Sequence, residues 1–181
     1  TDGMLGYRLE LIADPAIHAQ RALLADLQRA THKRDLAAVT AFLARIEEWP
    51  ADVWILRWGA LICRGAAQPK LAVPFWRRIL ALEEDPYARI GLAKDALETG
   101  ALDEADLHLT ALLTQDSSHG EGWLLRGIVA MQHQAYQEAE QAFERAKLSG
   151  ADPRKASLGS VMAAMGGNRV EAAWSQLMTL C

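Results

Sequence analysis

The chain repeats itself about every 34 residues, and this period constrains its fold more than any single motif. Gly127, Ala139 and Phe143 have counterparts one period upstream in Ala93, Ala105 and Leu109. One step further back, Ala93 becomes Gly59. One step forward, Ala139 becomes Ala173 and Phe143 becomes Leu177. A fixed period of this length marks a solenoid, in which each unit buries its apolar face only by stacking on its neighbours.

Helix-start signals keep the same beat. Asp14-Pro15, Asp85-Pro86 and Asp152-Pro153 each place an Asp cap before a Pro at the first helical position. Asp accepts a bond from an orphan backbone N–H, and Pro has no N–H to leave unpaired there. Trp49-Pro50-Ala51-Asp52 and Asp116-Ser117-Ser118 supply the starts between them. These starts predict units near 15–50, 51–84, 85–117, 118–151 and 152–181, each a pair of helices joined by a short turn. The expected fold is all-α, without a sheet. A turn is expected at Thr31-His32-Lys33, and Gly166-Gly167 reads as a helix terminator. Pro69 and Pro74 predict a late start or a kink in the second helix of the second unit, with its body from Phe75 to Leu82. In residues 1–14, Tyr7, Leu9 and Leu11 alternate with Arg8 and Glu10 as in a strand. The tract also fits the tail of a preceding helix or an N-terminal extension, which we prefer because a lone strand has nothing to pair with.

Composition narrows the functional classes. Of 181 residues, 51% are hydrophobic and 23% charged, enough for a good core. A net charge of −4 gives no electrostatic case for nucleic acid. No apolar run approaches the ~20 residues of a membrane span, so no insertion is expected. Two cysteines, Cys63 and Cys181, make no disulfide framework, and Cys63 reads as a packing residue in an apolar helix. A cytoplasmic setting is expected, or a periplasmic one if a native start precedes Thr1. The six tryptophans read as core and inter-repeat packing.

No catalytic constellation emerges. The five histidines show no metal-ligand spacing, so neither metal nor cofactor is expected. Asp116-Ser117-Ser118-His119 holds the residue types of a hydrolytic triad, but consecutively in a turn, which reads as capping. Gly120-x-Gly122 lacks the preceding strand of a dinucleotide loop. Lys33-Arg34 and Arg77-Arg78 are too short for a nucleic-acid patch and read as solvated outer faces.

In the fourth unit Trp123, Gly127, Tyr136, Ala139, Phe143 and Pro153 resemble the tetratricopeptide repeat (TPR) family. The third unit matches through Ala93, Ala105, Leu109 and Leu112. The second matches through Gly59 and, displaced by one residue, Ala72 and Trp76. The outer units match only through the small residues Ala25, Ala37 and Ala173. The stretch Asp85–Lys94 is similar to repeats of bacterial signalling-associated and scaffold proteins. The resemblance implies a right-handed superhelix whose first helices line a concave groove. The implied lining is Leu56, Ala60, Cys63 and Arg64; Tyr87, Ile90, Lys94, Leu97 and Glu98; Glu121, Leu124, Ile128, Met131 and Gln132; and Leu158, Met162 and Met165. The implied role is a non-enzymatic interaction module that takes a peptide or helix of a partner protein. The alternative is a structural spacer or self-association segment. Two further expectations follow. Gly127→Leu should overpack a close helix crossing, whereas Gly127→Ala should be mild, since Ala93 does the same job. Nothing follows the final helix to cover Trp174, Leu177 and Leu180, so either the natural protein continues with further repeats or a capping helix, which we prefer, or another copy of the chain covers that end.

Overall fold

The computed structural model describes residues 15–65 and 69–178. The 1–14 tract, Leu180 and Cys181 lie outside them. The described residues form ten α-helices and no strand. They are α1 (Pro15–His32), α2 (Leu36–Ala44), α3 (Val53–Gly65), α4 (Val73–Leu82), α5 (Pro86–Thr99), α6 (Leu102–Gln115), α7 (Gly120–Gln132), α8 (Tyr136–Leu148), α9 (Pro153–Gly166) and α10 (Val170–Met178). The fold is an all-α solenoid of helical hairpins. The chain divides into two compact units, residues 1–88 and 89–181.

The caps explain the helix starts. Asp35 accepts from Ala38 N at 3.0 Å, Asp52 from Trp54 N at 2.8 Å, Asp85 from Ala88 N at 2.7 Å and Asp152 from Arg154 N at 2.9 Å. The fourth hairpin departs from the expectation. Its cap is His119, whose Nδ1 accepts from Gly122 N at 3.1 Å. Asp116 sits one turn earlier and binds the Ser118 N–H at 2.9 Å and hydroxyl at 2.6 Å.

The turns within the hairpins repeat as strictly as the helices. Gly100, Gln134 and Asn168 all have positive φ (77°, 60° and 57°) and stand one period apart. After each, the next N–H reaches back to a carbonyl of the first helix: Ala101 to Ala96 at 2.8 Å, Ala135 to Ala130 at 2.9 Å, and Arg169 to Ala164 at 2.8 Å. This is the left-handed stop that closes orphan carbonyls at a helix end. Arg34 (φ 55°) does the same in the first hairpin, where α1 runs through Thr31 and His32 and the turn follows them. In the fifth hairpin α9 ends at Gly166 with Gly167 as its C-cap, as expected, and Asn168 supplies the left-handed residue that follows. Gly166 also serves packing: a Cβ there would run into the Tyr136 ring.

In the first unit α1 packs on α2 and α3, and α3 on α4. Pro69–Leu71 form a 3-10 turn, and α4 starts at Val73 with Pro74 in its first turn, where the missing N–H costs nothing. Phe75, fully buried, faces Gly59, where a Cβ would lie 2.5 Å from its ring. Gly59 and Phe75 thus keep the same spacing along the chain as Ala93 and Leu109, and as Gly127 and Phe143. The repeat at 51–84 therefore matches in register through Phe75, and no displacement to Trp76 is needed. Trp49 meets Phe75 edge-on at 5.0 Å. Arg78 bonds the Glu47 carboxylate and, at 3.1 Å, its carbonyl, so this arginine ties two segments together rather than solvating an outer face.

In the second unit Ala93, Ala105, Leu109, Leu112, Leu125 and Val129 share one core cluster, and Ala130, Ala139, Phe143 and Ala163 a second. Ala173 belongs to a third with Val161 and Ala164. The small residues let the helices close on one another. A Cβ on Gly127 would lie 2.5 Å from the Phe143 ring, and one on Gly159 would lie 2.6 Å from the same ring. The ring is clamped between its own hairpin and the next. This corrects the expectation that Gly127→Ala is mild: Ala93 is tolerated because its partner is the smaller Leu109.

Candidate functional site

The residues expected to line a groove fall on the first helices of the hairpins, α3, α5, α7 and α9. In the second unit α7 packs against α9, and Lys94 on α5 reaches Glu121 on α7 at 2.6 Å. Leu124, Ile128 and Met131 of α7 are half-buried, packed on the core below them. One helix along, Leu158, Met162 and Met165 of α9 are exposed by 54%, 52% and 62%. Their spacing of four and three places them on one helical face. Lys94 and Leu97 are half-buried, and Glu98, Glu121 and Gln132 are exposed. The result is an apolar strip across α7 and α9, bordered by a cross-helix ion pair.

In the first unit Leu56, Ala60 and Cys63 are fully buried. They belong to the core and can line no groove. Ile90, one period after Leu56 in the repeat at 85–117, is also buried. Burial pushes the Cys63 thiol up to about 12, so it is a packing group and not a nucleophile. Arg64 is half-buried, and Tyr87 is exposed with the Arg57 guanidinium 4.6 Å from its ring centre. Arg57 also pairs with Asp85, whose other oxygen caps α5.

The tryptophans divide. Trp49 and Trp76 are buried. Trp123 is half-buried under Arg145, 4.7 Å from the ring centre, and donates Nε1–H to Ser117 O at 2.8 Å. Trp174 is exposed, as expected of the last helix, and Trp54 and Trp58 are exposed where core or inter-repeat packing was expected. Trp54, Trp58 and Leu61 form an apolar stripe on α3 that sequence reasoning missed. Their helical spacing was legible, but their freedom from cover was not.

The polar turn at 116–119 is occupied by structure. Asp116 is spent on Ser118, whose hydrogen bonds hold its carboxyl below the usual carboxylate range, and the His119 acceptor nitrogen is spent on the α7 cap. Among the described residues no group of three or more His, Cys, Asp or Glu is placed to hold a metal ion. No described helix is long and apolar enough to cross a membrane.

No protein-family model matches the chain, and no curated protein does. Solved structures do. A MamA protein superposes with a TM-score of 0.70 at 15% identity, covering 88% of each chain. A tetratricopeptide repeat protein from Parabacteroides merdae gives 0.71 at 19% identity, over 90% of this chain and 66% of that one. PilF of Pseudomonas aeruginosa gives 0.64 at 17% identity, over 90% and 75%. With the repeat period, the small-residue crossings and the repeated left-handed stops, these likenesses identify the fold as that of the tetratricopeptide repeat proteins.

Proposed function

We propose that this chain is a protein-interaction module whose ligand surface is the apolar strip across α7 and α9. The carrying observation is the face of Leu158, Met162 and Met165, more than half exposed and flanked by Leu124, Ile128 and Met131. Methionine is unbranched and polarizable, so such a strip accommodates varied apolar side chains. A partner helix supplies them at intervals of three and four residues, and an extended peptide at every second residue. The Lys94–Glu121 pair borders the strip with one charge of each sign, which suits polar flanks on either side of an apolar ligand core. The strip holds no convergent set of acid, base and nucleophile, so binding rather than turnover is the chemistry it suits.

The test is capture from extracts of the source cell on the immobilised parent chain and on a Leu158→Glu, Met162→Glu variant. Both positions are exposed, so the variant keeps its helical circular dichroism. Proteins retained by the parent and lost from the variant support the strip as the ligand surface. Equal retention by both places binding elsewhere and refutes the assignment.

A further inference from the structure

Grooves that repeat along the chain can be compared position by position. Between α8 and the turn of the fifth hairpin the chain fills the groove itself. Arg169, which follows the left-handed Asn168, folds back over Gly167, its Nε 3.6 Å from where a Cβ on that glycine would stand. Its guanidinium meets the Glu140 carboxylate of α8 at 2.5 Å.

One period earlier the counterparts of Arg169, Glu140 and Gly167 are Ala135, Asp106 and His133. Alanine cannot reach the acid, and the groove between α6 and the α7–α8 turn stays open, with a volume of about 520 Å³. The buried pair Val129 and Ala130 lines its bottom, and Leu107, 65% exposed, lies at its side. Three carboxylates line it as well, Asp103 and Asp106 from α6 and Glu138 from α8. One guanidinium is present: Arg126 of α7 lies 3.6 Å from Asp106 and donates to Thr110 at 2.9 Å. Asp103 and Glu138 make no ion pair among the described residues. Both stand in the first turn of their helices, where the helix dipole favours a carboxylate whatever lies outside. Their charge by itself therefore names no ligand. The fifth hairpin does, because it seats a guanidinium in the same groove on the corresponding acid.

We propose that the α6–α8 groove takes an arginine side chain from a partner protein, in the place that Arg169 takes in the fifth hairpin. The aliphatic stem lies on Val129 and Ala130 and along Leu107, and the guanidinium meets the carboxylates of Asp103, Asp106 and Glu138. With Arg126 counted, the groove holds three negative charges against one positive, so an added cation brings it closer to balance. Arginine suits it better than lysine, because a planar fork serves two carboxylates at once and is less strongly hydrated. The site shares no residue with the α7–α9 strip and does not rest on that strip as the ligand surface.

Amide chemical shifts of the isotope-labelled chain, followed by nuclear magnetic resonance, test this with a short peptide of blocked ends whose central arginine stands between leucines. Counterpart peptides carry lysine or glutamine at the centre. The arginine peptide is expected to move the amides of Leu107, Ala130 and Ala135 saturably. The lysine peptide should bind there several-fold more weakly, and the glutamine peptide about tenfold more weakly or worse, the loss of one charge-assisted hydrogen bond. Asp103→Asn with Glu138→Gln should weaken the arginine peptide about tenfold for the same reason. Both positions are exposed, so this carboxamide variant keeps its fold. Ala135→Arg should close the groove with the chain's own guanidinium and abolish the shifts; should it fail to fold, the carboxamide variant carries the test. Leu158→Glu with Met162→Glu should leave the groove shifts unchanged, which separates this outcome from that of the strip. Groove amides that do not move overturn the proposal. So do shifts equal with the lysine or glutamine peptide, and a carboxamide variant that binds the arginine peptide as the parent does.

Discussion

Gly127 and Phe143 behave as one unit of volume, and exchanging them together separates packing from composition. Alanine at 127 places a methyl carbon 2.5 Å from a ring edge that Gly159 blocks from behind. Phe143 is 2% exposed and cannot swing outward. The helix-propensity gain of Gly→Ala is about 1 kcal/mol. Overpacking a tight core costs about 1–3 kcal/mol, and a clamped ring lies toward the upper end. Gly127→Ala should therefore destabilise by about 1–2 kcal/mol, and Gly127→Leu by more. Phe143→Leu alone should cost about 1–2 kcal/mol through the ring volume lost. The double variant rebuilds the Ala93–Leu109 pair of the hairpin before it and should be no less stable than either single one. The coupling energy should be about 1–2 kcal/mol, within the range for residues in direct contact. Thermal unfolding followed by circular dichroism reads this as roughly 2–4 °C per kcal/mol for a chain of this size. Strict additivity of the two substitutions, or Gly127→Ala melting with the parent, would refute the clamp.

Three other outcomes follow from single contacts. His119→Asp should stabilise the fourth hairpin by about 0.5–1 kcal/mol, because Asp caps better and its charge complements the helix N-terminus; His119→Ala should lose about 1 kcal/mol, and urea midpoints give both values. Gln134→Gly should raise the midpoint by up to about 1 kcal/mol, since φ of 60° strains a side chain at a place where Gly100 holds the same turn without strain. Asp85→Ala should cost roughly 2–4 kcal/mol, more than Asp52→Ala, because Asp85 is a buried carboxylate that both caps α5 and pairs with Arg57; equal losses for the two would show that the ion pair contributes nothing.

The repeat itself was legible in the chain. The period that links Gly59, Ala93 and Gly127, and likewise Ala105, Ala139 and Ala173, sets where hairpins cross, because only small residues allow that approach. Asp-Pro pairs set where helices start. Local chemistry suffices for such features. The period also carried information that periodicity of hydrophobic residues alone does not, since Phe75 can be placed by counting one period back from Leu109. Tertiary structure decided which apolar faces stay covered. Leu56, Ala60, Cys63 and Ile90, expected to line a groove, are buried, while Trp54, Trp58 and Leu61 are exposed. A residue's place on its own helix follows from sequence spacing. Its burial follows from the neighbouring hairpin, whose seating depends on side-chain volumes brought together from distant parts of the chain. For the same reason Gly166 reads as punctuation alone in one dimension, and in three also makes room for the Tyr136 ring.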